Sequence, residues 1–270
     1  MDLLQALLIA IVEGLTEYLP VSSTAHMIFT SAYFGIQNDD FVKLFQVSIQ
    51  FGAILAVVVL YWRKFFDFKR IGFYLKLAVA VLPALVLGKL FDDKIEAVLG
   101  DPIPIAIVLI VGGIVLLFVD ARFQNPTVTS EEEITYKKGF FIGLWQCLAM
   151  MPGTSRSAAS IIGGMQQGLT RAAAAEFSFF LAVPTMLAVT TYSIFLKTYE
   201  NTGLKGYELL TQNSEHLKLF LMGNAVAFVV AILAIKFFIG IIKKYGFKPW
   251  GYYRIIAGTA LLLYFTLIKP

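Results

Sequence analysis

Glu13 and Glu17 stand four residues apart, and Ser22, Ser23, Thr24 and His26 follow within the next nine positions. On a helix, that spacing puts both carboxylates on one face, one turn above the other. Pro20 ends the helix, and the hydroxyls of Ser22-Ser23-Thr24 fall where a new one would begin. A second stretch, Met151-Pro152-Gly153-Thr154-Ser155-Arg156-Ser157, repeats the device. Gly153 allows close backbone approach, and Thr154, Ser155, Arg156 and Ser157 open another helix. A helix N-terminus presents unpaired N–H groups and positive dipole, which suits a phosphate. Arg156 adds a permanent cation whose planar fork grips phosphate oxygens in pairs. Two such tips facing each other make a pocket for a polyanion. Glu13 and Glu17 would repel that polyanion unless a divalent cation, Mg²⁺ or Ca²⁺, lay between them; Mg²⁺ binds through one or two carboxylates plus substrate phosphates. His26 can transfer a proton or attack phosphorus, and Ser23 is the alternative nucleophile. The combination points to phosphoryl hydrolysis at the membrane.

The surrounding chain is a membrane chain. Of its 270 residues 58% are hydrophobic and only 15% charged, with a mean hydropathy of +0.76, far from soluble averages. Charge at membrane depth is costly and is kept for function. Met1-Asp2-Leu3 lacks the basic segment of a cleaved signal peptide. Cys147 stands alone, which excludes an internal disulfide and a cysteine-based metal site. The net charge of +4 contains no long basic run, so it reflects basic loops and not nucleic-acid binding.

Residues 3–34, interrupted at Pro20, read as a re-entrant helical hairpin, since irregular backbone at depth must be buried in protein or line a wet cavity. Spans follow at about 42–61, 73–91 and 103–119. The first ends at the basic cluster Trp62-Arg63-Lys64 and Lys69-Arg70, expected in the cytoplasm. The second ends in a loop at Asp92-Asp93-Lys94. After a linker at about 122–138 the pattern restarts: a broken pair at 139–168, then spans near 173–196, 217–239 and 251–268. A polar loop, Lys197–His216, separates the first two of these. The basic Lys243–Lys248 between the last two is again expected inside.

Each half is thus one hairpin plus three spans, and three is odd, so the halves have inverted topology. The expected fold is an all-α polytopic membrane protein, one domain over 1–270. It has six transmembrane helices plus two re-entrant helical hairpins, with repeats at about 1–121 and 136–270. Pro20-Val-Ser-Ser-Thr aligns with Pro152-Gly-Thr-Ser-Arg, and Gln46-Val-Ser48 with Glu176-Phe-Ser178. Broken helices in corresponding places of two halves point to a binding site between them.

Glu13-Gly-Leu-Thr-Glu17, Pro20-Val-Ser-Ser-Thr-Ala-His26 and Pro152-Gly-Thr-Ser-Arg-Ser157 closely resemble the bacterial undecaprenyl-pyrophosphate phosphatases, the bacitracin-resistance family. Ile54-Leu-Ala-Val-Val, Gly163-Gly-Met, Glu176-Phe-Ser-Phe and Tyr253-Arg254 extend the likeness over nearly the whole chain. The resemblance implies a multi-pass enzyme of the bacterial cytoplasmic (inner) membrane with its site opening to the outer face. Such an enzyme hydrolyses the C55 isoprenyl pyrophosphate to the monophosphate and inorganic phosphate, recycling the carrier for peptidoglycan. It implies that Glu13 and Glu17 bind metal or act as base, that Ser22, Ser23 and His26 hold the serine and histidine positions, and that Arg156 binds pyrophosphate. Arg254 matches a further arginine, expected to bind the pyrophosphate together with Ser22, Thr24, Gly153, Thr154, Ser155, Ser157 and Ser160. Ser160 stands where the family often has threonine, and Gln46 where many members carry glutamate.

Plainer readings stand beside these. Ser22, Ser23 and Thr24 serve equally as ordinary helix caps, His26 as a packing residue, and Arg156 as a partner of Glu176 or a helix C-terminus. Arg254 would merely snorkel to headgroups. A transporter of a phosphate-bearing lipid or small anion would share the inverted-repeat architecture, but transport needs no Glu-x-x-x-Glu pair beside serine and histidine. A homodimer stays open.

Overall fold

The computed structural model describes residues 1–99 and 101–268, with backbone alone over 92–99 and at 268. The first half contains α1 (Leu3–Thr16), α2 (Ser23–Tyr33), α3 (Asp40–Ser48), α4 (Gln50–Leu60), α5 (Trp62–Phe65), α6 (Ile71–Leu99) and α7 (Pro102–Arg122). The second contains α8 (Tyr136–Gln146), α9 (Arg156–Gln166), α10 (Arg171–Phe195), α11 (Gly206–Thr211), α12 (Ser214–Tyr245) and α13 (Lys248–Leu263).

Local chemistry sets the helix starts. Asp2 and Gln5 form a reciprocal capping box at α1, with Gln5 N–H donating to Asp2 at 2.8 Å and Asp2 N–H to Gln5 at 2.9 Å. Asp101 caps α7, whose first residue is Pro102. Thr135, Thr170 and Asn213 cap α8, α10 and α12.

Among the described residues, five segments are long and apolar enough to cross a bilayer: Asp40–Leu60, Ile71–Phe91, Pro102–Arg122, Arg171–Phe195 and Ser214–Tyr245. The chain is an all-helical, multi-pass membrane protein. Four expectations change in detail. The first span is broken at Ile49 into α3 and α4. The expected loop at Asp92-Asp93-Lys94 is replaced by helical backbone, since α6 continues to Leu99, and its side chains lie outside those described. The last segment is the 16-residue α13 followed by a π-helical turn, Tyr264–Ile268, too short as an α-helix to join the five. The expected loop 197–216 also contains α11.

The halves are interlaced. α1 packs on α12 of the other half, and α8 on α6. α7 lies along α13, and α4 meets α10. At both hairpin crossings a glycine faces backbone: a Cβ on Gly14 would come within 2.8 Å of the Ala227 carbonyl, and one on Gly143 would strike that of Ala80. Without a side chain at either glycine the helices approach closely, the usual device where apolar burial gives no preference over lipid.

The end of the bundle near the linker is tied by polar contacts. Thr127 and Val128 N–H donate to the Gly168 carbonyl at 2.8 and 2.9 Å, and Thr170 N–H returns a bond to Val128 at 2.9 Å. Asp120 accepts from Phe247 N–H at 2.7 Å and Arg171 Nε at 2.6 Å. Glu131, buried, accepts from Lys64 at 2.7 Å and Arg70 at 3.1 Å. Burial alone would push the Glu131 carboxyl up, but Lys64 and Arg70 outweigh it and hold the group below the usual carboxylate range.

Candidate active site

Each hairpin turns at a serine in the left-handed region. Ser22 has φ +70° and caps α2; Ser155 has φ +75° and caps α9. They are the only non-glycine residues with positive φ among those described. Such backbone is strained for any residue with a side chain and clusters at functional sites. Ser22 accepts from Ala25 N–H at 3.4 Å and Ser155 from Ala158 N–H at 3.2 Å. The caps correct the expected alignment by one position: Ser22 corresponds to Ser155, and therefore Ser23 to Arg156. The extra residue in the second tip is accommodated at Gly153, whose φ is +94°.

The tips meet on Glu17. Ser23 Oγ donates to Glu17 Oε2 at 2.5 Å, and Arg156 donates to Glu17 Oε1 from Nε at 3.2 Å and Nη2 at 3.0 Å. Arg156 Nη1 donates to the Ser178 carbonyl at 3.0 Å, fixing the guanidinium plane. Its partner is therefore Glu17, 139 residues away, and not Glu176. Ser157 donates to the Leu19 carbonyl at 2.7 Å, a second bond between the hairpins, and lies 3.0 Å from Ser155 Oγ. Ser160 donates to the Arg156 carbonyl at 2.8 Å and shares a 2.6 Å bond with Ser178, so it holds the second tip from beneath. Thr24 lies in the first turn of α2.

Glu13 is fully buried, and neither carboxylate oxygen has a hydrogen-bond partner. Ser23 lies next to it, but that hydroxyl has one proton and directs it to Glu17. One arginine thus faces two carboxylates and satisfies one of them. An unpaired buried carboxylate is expensive, and a cation beside it removes the cost. The orphaned oxygens of Glu13 fit a hard divalent cation that completes its shell with phosphate and water. No group of three or more His, Cys, Asp or Glu side chains suited to a metal occurs among the described residues.

Arg254 is placed differently from both expectations. It is fully buried, and it donates to Leu109, Pro20, Thr154, Val108 and Gly153 carbonyls at 3.1, 3.1, 2.9, 3.5 and 2.7 Å. Five donors meet five acceptors, leaving none for a phosphate. A Cβ on Gly112 would collide with its Nη2, so α7 needs glycine there for the guanidinium to pass. Arg254 fastens both tips to α7; it neither snorkels nor faces the pocket.

His26 faces α13. Its Nδ1 lies 2.8 Å from the Ser22 carbonyl, and Nε2 lies 2.8 Å from Tyr253 Oη. Sequence reasoning missed Tyr253 and the Ser178 carbonyl. Tyr253 adjoins Arg254 in a quoted motif, but nothing in the chain shows that it meets a histidine 227 residues earlier.

Beside the tips lies a cavity of about 490 Å³, lined by Leu15, Leu19, Val21, Phe237, Trp250 and Tyr253 among others. Its walls come from the first hairpin, α12 and α13, and they are mostly apolar. Paired helix tips, a buried carboxylate–hydroxyl–guanidinium network and an adjoining apolar cavity thus come together at one place in the helical bundle.

The model of the bacitracin resistance protein BacA family matches residues 6–260, and the chain belongs to that family. It is 55% identical to an undecaprenyl-diphosphatase of Flavobacterium psychrophilum, over 100% of this chain and 98% of that one. Proteins with the same description from Flavobacterium johnsoniae and Porphyromonas gingivalis are 52% and 49% identical, covering 100% and 97% of this chain and 98% and 96% of theirs.

Proposed function

We infer that this protein is a membrane phosphatase that hydrolyses undecaprenyl pyrophosphate to the monophosphate and inorganic phosphate. Family membership and full-length relatives described as undecaprenyl-diphosphatases support the reaction. The observation that carries it to residues is the meeting of Ser23 and Arg156 on Glu17 beside an unpartnered Glu13.

Ser23 Oγ attacks the terminal phosphorus while Glu17 Oε2 takes its proton; the bridging P–O bond breaks and its electrons leave with the lipid monophosphate. Water then cleaves the phosphoseryl bond, releasing inorganic phosphate and returning the proton to Ser23, with His26 available for proton transfer. The two free N–H groups of Arg156 and the N–H groups opening α2 and α9 stabilise charge on the transferred phosphoryl. Glu13 and Glu17 would hold a divalent cation, Mg²⁺ or Ca²⁺, whose chemistry is to neutralise the pyrophosphate. The apolar cavity takes the isoprene units nearest the pyrophosphate.

The crossed packing of α1 on α12 and α8 on α6, with matching left-handed caps, supports the inverted repeat with two re-entrant hairpins and α13 as the sixth span. With the basic clusters 62–70 and 243–248 inside, the site opens to the outer face of the cytoplasmic membrane.

The test is phosphate release from an isoprenyl pyrophosphate in detergent, with and without EDTA, for the unaltered protein and Arg156→Ala. Metal-dependent release, falling about 10²–10³-fold in the variant, is expected. Absence of release by folded protein across several divalent cations would overturn the assignment.

A further inference from the structure

We propose that Tyr253 is a positioning residue for His26, holding its imidazole at the border between the polar tips and the apolar cavity. This rests on the reading that His26 serves the phosphatase reaction. The Ser22 carbonyl can only accept, so the 2.8 Å contact makes Nδ1 the protonated nitrogen. Nε2 of the neutral ring is then an acceptor, and the Tyr253 hydroxyl donates to it at 2.8 Å. The two bonds fix tautomer and ring plane together. The rings also lie nearly parallel, 13° apart with centroids at 5.7 Å.

The partners come from opposite ends of the chain, and each is anchored. His26 sits one turn after the strained cap Ser22, to whose carbonyl its own N–H also donates at 3.3 Å. Tyr253 precedes Arg254, whose five bonds immobilise that turn of α13 against both tips. Rigid placement on both sides is what a proton-transferring imidazole requires. The Tyr253 ring meanwhile lines the cavity, so the hydroxyl stands where the pyrophosphate head of a lipid would join its tail. When Nε2 gains a proton, it donates to Tyr253 Oη, and the phenolic proton turns outward toward the substrate.

A double-mutant cycle on full-length protein in detergent, with an isoprenyl pyrophosphate as substrate, tests this. Tyr253→Phe keeps the ring and removes the hydroxyl. It is expected to lower kcat about tenfold, a fraction of the roughly 10²–10⁴-fold available from a positioned acid–base group. KM should stay within about twofold, because the cavity wall is preserved. In a His26→Ala background the same change should add nothing further. Unaltered kcat in Tyr253→Phe, or an additional tenfold loss on top of His26→Ala, would overturn the proposal. Full activity of His26→Ala would instead overturn the underlying role of His26, and Tyr253 would fall with it. Tyr253→Ala, which opens the cavity wall, should raise KM as well as lower kcat. If Tyr253→Phe matched the unaltered protein and only Tyr253→Ala were impaired, the ring and not the hydroxyl would matter, and the proposal would be wrong.

Discussion

The two hairpin tips share a backbone and divide the chemistry. Both turn through a left-handed serine, both open a helix, and both are held by the same arginine from α13. At the position after the cap, one has Ser23 and the other Arg156, and both donate to Glu17. Duplicated geometry therefore supplies a hydroxyl from one side and a cation from the other. Neither half contains a site by itself. The difference persists one layer deeper. Five residues past each cap stand Met27 and Ser160; Ser160 pairs with Ser178, whereas Ser48, the counterpart of Ser178, is buried with no partner for its hydroxyl. The cation-bearing tip is underpinned by a polar bond that the Ser23-bearing tip lacks.

The largest expected effect separates cap from nucleophile. Ser23→Ala should lower kcat by about 10³-fold or more, while Ser22→Ala should cost about 1 kcal/mol of stability and less than about tenfold in rate. Both are measured by phosphate release and thermal unfolding in detergent. Equal rate losses would mean that the serines act together and that the assignment of roles between them is wrong. Next comes the layer beneath the tips. Ser178→Ala should lower stability by about 1 kcal/mol, and Ser48→Ala should raise it by up to about that amount, because it removes an unsatisfied buried hydroxyl. A loss in both would show that Ser48 has a partner and that the layers are alike.

The smallest effect contrasts Glu17, buried where the tips meet, with Glu131 at the linker end. Folding lowers the Glu131 pKa, so its contribution to stability is complete above the unfolded value, about 4.3, and drains away as pH falls through the lower folded value. Glu131→Gln should reduce the unfolding midpoint by a few degrees at neutral pH. The gap from the unaltered protein should close as pH falls below about 4.3. A constant gap down to strongly acidic pH would show that packing and not charge is at stake.

Much of this was legible in the chain, because membranes simplify the code. Apolar runs had to be helices, and Pro20 and Pro152 with hydroxyls after them had to be breaks. The polar cost of Glu13, Glu17 and Arg156 marked the tips as functional before any contact was seen. Partnerships were not legible. Arg156 was offered Glu176, twenty residues on, yet reaches Glu17 across 139 residues, since only three-dimensional packing brings the hairpins together. Arg254 carries the same charge as Arg156, and nothing in its neighbours Tyr253 and Ile255 reveals that five carbonyls surround it. The one-residue offset between the caps escaped notice because letters align on hydroxyls, whereas backbone aligns on φ.

The crossed packing of the hairpins has a consequence for how the protein is made. α1 leaves the ribosome well before the helix it rests against, α12, which begins at Ser214, about 200 residues later. At roughly 5–20 residues per second, that is an interval on the order of 10–40 s. During that time a short helix that carries Glu13 and is capped by Glu17 waits in or beside the bilayer without its companion. The nascent first half must be sheltered by the insertion machinery or linger at the interface until α12, in about the last fifth of the chain, arrives for the first hairpin to pack against.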